Sequence, residues 1–417
     1  MTEYLFYCRS GYEADLLAEL DDKLGANNHY GYASIQKDSA FLRYHLLSDT
    51  SSADEVFSTH GTSQSLTASP TKAMPPLSSL MFARQKCKVL GQLTFENVYD
   101  RVGEIINALS DMLASENQNQ TITETREAKS VFGDLRVEYP DTENGKQMAK
   151  FCKKFTVPLR SALRQHGTQV NGGYLKNGAA LLSAKPNSKL PYLHVFFEKG
   201  DACLLAVSFA HDRSHELLGI KRLKFPQDAP SRSTLKLEEA IDLFLGAEQS
   251  QLMQSGMTAV DLGACPGGWT YQLLKRGLKV EAVDNGAMDE KLMQSGKVSY
   301  HAADGFSYRP QHGHVDWLVC DMIEQPDRVA TLMCDWFLKR QTSAAIFNLK
   351  LPMKKRYLTL KPLIAEFVEK LGSADEAFYM QAKHLYHNRD EVTFLIVRNS
   401  QWVSALEAAN HRFSDEV

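Results

Sequence analysis

The chain has 417 residues, of which 43% are hydrophobic and 23% charged, and its formal net charge is -3. This composition indicates a globular protein of roughly two to three domains and excludes a globally basic field as the source of nucleic-acid binding. The seven cysteines are odd in number and lack CxxC spacing, so we expect free thiols and a cytoplasmic protein. There is no secretion-signal pattern at the N-terminus and no apolar run near the ~20 residues of a membrane span, so we expect no membrane association.

The first predicted unit, residues 1–115, alternates short strands with helices. "EYLFYCR" reads as a strand and "YEADLLAELDDKLG" as an amphipathic helix. A Ser/Thr-rich stretch at 48–80 has no apolar periodicity, and we interpret it as a mobile insertion. Order is predicted to return with "MFARQKCKVLGQL" and the helical "ENVYDRVGEIINALSDMLA".

The second predicted unit, residues 116–210, contains a basic helical segment. A strand, "GDLRVEYP", precedes "KQMAKFCKKFTVPLRSALRQHG", and "LHVFFEKGDACLLAVSFA" reads as a closing strand hairpin. The helical segment carries Lys150, Lys153 and Lys154 without a nearby acid, which is typical of a surface that meets RNA phosphates. A solvated helix face explains the same charges equally well.

The third predicted unit, residues 211–417, alternates strands with helices, which is the pattern of a doubly wound parallel sheet. Two β-rich runs around "HNRD" predict a hairpin near its end. The other predicted strands are "TAVDLGA", "KVEAVDN", "VSYHAAD", "VDWLVCDM" and "SAAIFNLKL".

A glycine-rich turn follows the first of these strands in "VDLGACPGGWTYQL". Ligands of such sheets bind beyond the carboxyl ends of the strands, and glycine lets the backbone approach a bulky cofactor closely. The spacing is not GxGxxG, which argues against a nicotinamide enzyme. Asp284 is placed to accept hydrogen bonds from ribose hydroxyls, and Asp304 either accepts from an adenine amino group or is a turn residue.

These motifs resemble known families. "VDLGACPGG" followed by "AVD" resembles the S-adenosylmethionine-binding half of Rossmann-like class I methyltransferases. Together with "SRSTLKLEEA", "VCDM", "FNLKLPMKKRY" and "LYHNRDEVT", it closely resembles the bacterial ribosomal large-subunit RNA methyltransferase M family over nearly the whole chain. The stretch at 48–80 departs from the family pattern.

The resemblance implies an α/β fold with three parts. Residues 1–115 would be a ferredoxin-like unit with the insertion, 116–210 a THUMP-type RNA-binding unit, and 211–417 a Rossmann-like class I methyltransferase domain. The implied reaction is S-adenosylmethionine-dependent 2'-O-ribose methylation of a cytidine in the peptidyl-transferase region of 23S rRNA. The implied partner is naked or protein-poor 23S rRNA, before subunit assembly is complete. We expect a monomer, with a weak dimer as the alternative.

The resemblance also assigns site residues. A Lys-Asp-Lys-Glu tetrad of related enzymes maps onto Lys236, Asp321, Lys350 and Glu391. Lys350 would accept the proton, provided that burial, Lys236 or the cationic cofactor lowers its pKa. The implied cofactor contacts are Ser233, Cys265, Pro266, Gly267, Gly268, Asp284, Asp304 and Asp321. The residues expected to contact phosphate beside the base are Lys354, Lys355 and Arg356.

Other chemistry has less support in the sequence. His211 and His215 have helical spacing but no third ligand nearby, so no metal site is expected. Cys320 is a poor thiolate nucleophile because the adjacent Asp321 raises a thiol pKa. Two alternatives stay open: 2'-O methylation of another RNA such as tRNA, and a non-catalytic RNA-binding ribosome assembly factor.

Overall fold

A computed structural model describes residues 1–47, 73–117, 131–165, 180–373 and 376–411. The chain divides into two compact units, which are treated separately below. The first unit comprises Met1–Leu77 and Phe82–Ile220, and the second comprises Ser78–Met81 and Lys221–Val417. None of the helices in the described ranges has the length and apolar character needed to cross a bilayer.

The first unit is one seven-stranded sheet with helices. Its strands are β1 (Thr2–Tyr7), β2 (Gly31–Ser34), β3 (Phe41–Leu46), β4 (Gln85–Thr94), β5 (Asp134–Glu138), β6 (Tyr192–Lys199) and β7 (Ala202–Ser208). Its helices are α1 (Glu13–Gly25), α2 (Arg101–Asn117), α3 (Glu143–Lys146) and α4 (Ala149–Gln165). The strand order is β2-β3-β1-β4-β7-β6-β5, and the predicted hairpin of β6 and β7 is confirmed.

Helix α4 packs its apolar side into this unit. Phe151 and Phe155 stack with their ring centroids 5.3 Å apart, and both meet Phe197 of β6 edge-on. Leu159 and Leu163 of the same helix are fully buried. Since one side of the helix is occupied in this way, its lysines lie on the other side.

The Ser/Thr-rich stretch is ordered at its C-terminal end, so the prediction of a mobile insertion over all of 48–80 is wrong for residues 73–80. Leu77–Ser79 form a 3-10 turn, and the side chains of Met74, Leu77 and Leu80 are buried. Burial of these apolar side chains offsets the cost of ordering the backbone. Residues 48–72 lie outside the described ranges.

The second unit is also built on a seven-stranded sheet. Its strands are β8 (Thr258–Leu262), β9 (Lys279–Asp284), β10 (Val298–Ala302), β11 (Val315–Cys320), β12 (Thr342–Lys350), β13 (Tyr379–Lys383) and β14 (Glu391–Val397). Its helices are α5 (Thr234–Leu245), α6 (Gln249–Leu252), α7 (Gly268–Lys275), α8 (Glu290–Met293), α9 (Pro326–Leu338), α10 (Arg356–Gly372) and α11 (Ser400–His411).

The sheet order of the second unit is β10-β9-β8-β11-β12-β14-β13. Strands β8 to β12 are parallel to their neighbours in this group, whereas β14 is antiparallel to β12 and β13, which confirms the predicted terminal hairpin. From β8 the chain proceeds first to β9 and β10 on one side and then returns to β11 on the other. The carboxyl ends of β8 and β11 therefore form the topological switch point at which such sheets bind ligands.

Both faces of this sheet are covered by helices. Ile346 of β12 packs in a core with residues of α5, α7 and α11, including Trp269 and Trp402. The next residue, Phe347, stacks on Phe394 of β14 and contacts Phe367 of α10 on the opposite face. This alternation is that of a strand buried on both sides. Helix α11 follows the predicted hairpin and was not predicted from the sequence.

Candidate active site

Four charged side chains converge where strands β11, β12 and β14 and helix α5 meet. Lys236 Nζ lies 2.6 Å from Glu391 Oε1 and 3.2 Å from Asp321 Oδ2. Lys350 Nζ lies 2.7 Å from Asp321 Oδ1 and 3.8 Å from Glu391 Oε2. Each carboxylate therefore contacts both lysines, and the structure brings the four residues of the predicted tetrad together.

The positions of these side chains follow from the elements that carry them. Lys350 is the last residue of β12, Asp321 follows β11, and Lys236 lies in the first turn of α5. Glu391 is the first residue of β14, and because β14 is antiparallel to β12 it lies opposite Lys350 in the register. Two parallel strands thus contribute their carboxyl ends and one antiparallel strand its amino end to the same edge.

The carboxylates hold Lys236 in its charged form. Burial lowers the pKa of Lys236, but Asp321 and Glu391 outweigh it and raise that pKa above its ordinary value. Burial raises the pKa of Asp321, but Lys350 and Lys236 together outweigh it and bring that pKa below its usual range. Burial raises the pKa of the Cys320 thiol to about 12, which argues against a thiolate nucleophile there.

Sequence reasoning missed a buried row of neutral groups behind the tetrad. Asn348 Nδ2 donates to Asp321 Oδ1 at 2.8 Å, and the Thr393 hydroxyl donates to Asn348 Oδ1 at 2.6 Å. Asn388 Nδ2 in turn donates to Thr393 Oγ1 at 2.9 Å. All three side chains are buried. The only signal in the sequence is a polar residue within each of the apolar strands "AAIFNLKL" and "EVTFLIV".

The glycine turn after β8 is packed against the start of α5. A Cβ on Gly268 would lie 2.1 Å from Ser233 Oγ, and one on Gly267, where φ is +116°, would lie 2.3 Å from Leu292 Cδ1. The Trp269 indole N–H donates to the Ser233 carbonyl at 3.1 Å. Glycine is therefore required at both positions. These contacts also place Ser233 directly beside the glycine turn.

The other predicted cofactor residues lie around this turn or at the ends of neighbouring strands. Asp284 ends β9, and its carboxylate accepts the backbone N–H groups of Cys265 at 2.9 Å and Gly286 at 3.0 Å. The Pro266 carbonyl accepts the N–H of Asp289 at 3.0 Å. Asp304, two residues beyond β10, is exposed and accepts the N–H of Phe306 at 3.0 Å.

Asp261, at the end of β8, was not assigned a role from the sequence. Its Oδ2 accepts from the Thr270 hydroxyl at 2.6 Å, and within the described ranges its buried Oδ1 has no hydrogen-bond partner. Burial raises its pKa to about 7. A buried acceptor without a partner, beside glycines that keep the backbone open, fits a cationic ligand with hydrogen-bond donors.

Some of the predicted RNA-facing side chains are exposed to solvent, whereas others form ion pairs within the protein. Lys150, Lys153 and Lys154 are exposed on α4 of the first unit. On the same helix, Arg160 binds Asp134 at 2.5 Å. In the second unit Lys354 and Lys355 are exposed, whereas Arg356 Nη2 lies 3.5 Å from Asp390 Oδ1.

Comparison with known proteins places the chain in a family. Family models match at 1–87 (RlmM ferredoxin-like domain), 100–209 (Ribosomal RNA large subunit methyltransferase M, N-terminal) and 229–361 (FtsJ-like methyltransferase). The Ribosomal RNA large subunit methyltransferase M of Alteromonas mediterranea is 46% identical over 401 residues, covering 96% of this chain and 98% of the relative. This chain belongs to the ribosomal RNA large subunit methyltransferase M family.

Two further members of this family match over similar lengths. The protein of Aeromonas salmonicida is 41% identical, covering 98% of this chain and 100% of the relative, and that of Aliivibrio salmonicida is 40% identical, covering 94% and 97%. The chain is therefore a methyltransferase whose cofactor is S-adenosylmethionine. The prediction of a ferredoxin-like domain followed by a Rossmann-like methyltransferase domain is confirmed.

Proposed function

We propose that this methyltransferase transfers a methyl group from S-adenosylmethionine to the 2'-oxygen of a cytidine in the peptidyl-transferase region of 23S rRNA, before the large subunit is fully assembled. The observation that carries the proposal is the pair of lysines beside the glycine turn, each with its Nζ between 2.6 and 3.8 Å from an oxygen of both carboxylates. The rRNA target follows from the names of relatives that match nearly the full chain.

The residues around the glycine turn would hold the cofactor. Ser233, the turn 265–268 and the carboxylates of Asp284 and Asp304 would contact its polar groups, and Asp321 adjoins them at the end of β11. The unpartnered Oδ1 of Asp261 fits this cationic, hydrogen-bonding cofactor. When bound, S-adenosylmethionine supplies an electrophilic methyl group on a sulfonium sulfur.

The two lysines have different proposed roles. A ribose hydroxyl is a weak nucleophile, so its proton has to be removed as it attacks the methyl carbon. Lys236 is bound at 2.6 and 3.2 Å by two carboxylates that raise its pKa, so it keeps its proton and acts as a fixed cation. We therefore assign proton removal to Lys350, whose Nζ, in its uncharged form, would take up the 2'-hydroxyl proton as the carbon–oxygen bond forms and the methyl carbon–sulfur bond breaks, with S-adenosylhomocysteine as the leaving group. Asp321 and Glu391 orient both amines.

Exposed lysines in each unit are the proposed RNA contacts. Lys150, Lys153 and Lys154 extend from α4, and Lys354 and Lys355 follow the strand that ends in Lys350. Such exposed cations bind phosphates without reading sequence. All seven cysteines are free, which supports a reducing compartment, and we propose that the enzyme acts in the cytoplasm.

The proposal is tested in cells that lack the gene. Nucleosides from their 23S rRNA, 16S rRNA and tRNA are compared by mass spectrometry before and after complementation with the wild-type gene or the Lys350→Arg variant. We expect the wild type alone to restore one 2'-O-methylcytidine, in 23S rRNA. Restoration in tRNA alone would favour another RNA substrate, and no change in any RNA would favour the non-catalytic assembly factor.

A further inference from the structure

Two large apolar side chains are almost fully exposed beside the charged tetrad. Ile323 is 92% exposed and lies two residues after Asp321, and Met353 is 85% exposed and lies three residues after Lys350. Single exposed apolar residues are common on protein surfaces. These two, however, lie on the loops that follow the neighbouring parallel strands β11 and β12, at the edge where the tetrad forms.

Both loops are fixed by contacts at their inner ends. Met322, next to Ile323, packs against Gly263 and Gly305, because a Cβ on Gly263 would lie 2.8 Å from its Cγ and one on Gly305 would lie 3.0 Å from its Sδ. On the second loop, the N–H of Leu351 donates to the Asp390 carbonyl at 2.7 Å. The exposed side chains therefore extend from anchored backbone.

The backbone of the second loop also carries a conformation that is costly for its residue. Lys355 has φ +56° and ψ +40°, in the left-handed region that residues with a Cβ rarely adopt. Such conformations persist where the surrounding structure enforces them, and they concentrate at ligand-binding sites. This geometry also leaves Lys354 and Lys355 exposed next to Met353.

We propose that Ile323 and Met353 are substrate-positioning residues, whose side chains pack on the base of the target nucleotide after it has turned out of its stack. The inference rests on the proposed function, since the ribose 2'-hydroxyl has to reach Lys350 and the attached base then lies beside these loops. Apolar side chains, Ile and Met among them, insert against the faces of bases where the stack is opened. Lys354 and Lys355 complement this contact by offering positive charge to the adjoining phosphates. The two residues thus hold the nucleotide in position without selecting cytidine.

The test uses the full chain with unmodified 23S rRNA. The test variants are Ile323→Ala, Met353→Ala and their double mutant. The conservative variants are Ile323→Leu and Met353→Leu. The matched control is Val368→Ala, because Val368 is an apolar residue of α10 that is 50% exposed. Single-turnover methyl transfer is measured with enzyme in excess. Melting temperature and the dissociation constants for S-adenosylmethionine and 23S rRNA are measured in parallel.

We expect each alanine variant to slow single-turnover transfer about tenfold and the double mutant about a hundredfold, because each substitution removes apolar surface that would pack on the base. Both leucine variants and Val368→Ala should stay within about twofold of the wild type, since each keeps the apolar contact or lies away from it. The affinity for rRNA should change by less than about threefold, because phosphate contacts dominate it. Cofactor affinity and melting temperature should be unchanged.

Three results would overturn the inference. A double mutant that transfers methyl at the wild-type rate would exclude a positioning role. A double mutant that binds S-adenosylmethionine more weakly would assign the side chains to cofactor binding instead. One that binds rRNA more weakly but keeps the wild-type single-turnover rate would assign them to RNA binding. If the wild-type enzyme transfers methyl to no RNA at all, the proposed function and this inference both fail, whereas failure of the inference alone leaves wild-type transfer intact.

Discussion

Replacement of Lys350 by alanine separates catalysis from stability. The substitution removes the amine 2.7 Å from Asp321 Oδ1. Asp321 keeps the Asn348 amide at 2.8 Å on the same oxygen and Lys236 at 3.2 Å on the other. Because the partly buried carboxylate stays paired, we expect a stability loss of about 1 kcal/mol rather than the larger penalty of an uncompensated charge.

The expected effect on the reaction is much larger. General-base catalysis contributes about 10²- to 10⁴-fold in rate, which corresponds to about 3 to 5 kcal/mol of activation free energy. Methyl transfer to 23S rRNA should therefore fall by at least about a hundredfold, while the dissociation constant of S-adenosylmethionine stays within about threefold. Transfer is measured with labelled cofactor, and cofactor affinity by calorimetry on the same samples.

Lys350→Arg is the control that distinguishes a base from a cation. Arginine preserves the positive charge facing Asp321 but cannot give up its proton under these conditions. If Lys350 is the base, this variant is as inactive as the alanine variant. An arginine variant that retains a tenth or more of wild-type transfer, or an alanine variant that does so, would refute the assignment.

The other predictions concern the cofactor site, the basic helix and pH. Asp284→Ala should weaken S-adenosylmethionine binding, because the carboxylate also holds the backbone of Cys265; an unchanged dissociation constant in calorimetry would count against this site. Neutralising Lys150, Lys153 and Lys154 together should weaken rRNA binding and flatten its salt dependence, and an unchanged slope would make α4 a solvated surface. The pKa of Asp261 is raised in the folded protein from its ordinary value of 3.8 to about 7. The contribution of this group to the free energy of unfolding is therefore complete below pH 3.8 and is lost as the pH rises through about 7. Asp261→Asn in the free protein should therefore lessen the fall in melting temperature between pH 5 and pH 8, and the same fall as in the wild type would contradict the assignment.

The tetrad was predicted through the resemblance to the family, and the positions of all four residues, at strand ends or in the first turn of a helix, agree with that assignment. Parallel strands bring their carboxyl ends to one edge, so Asp321 and Lys350 had to lie near the glycine turn. The burial of strands in both sheets could likewise be predicted from apolar runs such as "SAAIFNLKL".

The buried row of neutral groups could not be predicted in the same way. Asn348 and Thr393 are 45 positions apart in the sequence, and they become partners only because the antiparallel register of β12 and β14 places them opposite each other. No local spacing encodes that register. The ordered residues 73–80 were missed for a related reason, because Leu77 and Leu80 are too few to give a periodic signal and become buried only in the folded chain.

The other predictions depend on the proposal that this chain methylates a ribose oxygen of 23S rRNA. It is tested most directly by incubating the purified protein and labelled S-adenosylmethionine with 23S rRNA, 16S rRNA and tRNA from cells that lack the gene. The nucleosides are then resolved by mass spectrometry. We expect label in 2'-O-methylcytidine from naked 23S rRNA alone, whereas label on a base, or in tRNA alone, would refute ribose methylation of 23S rRNA.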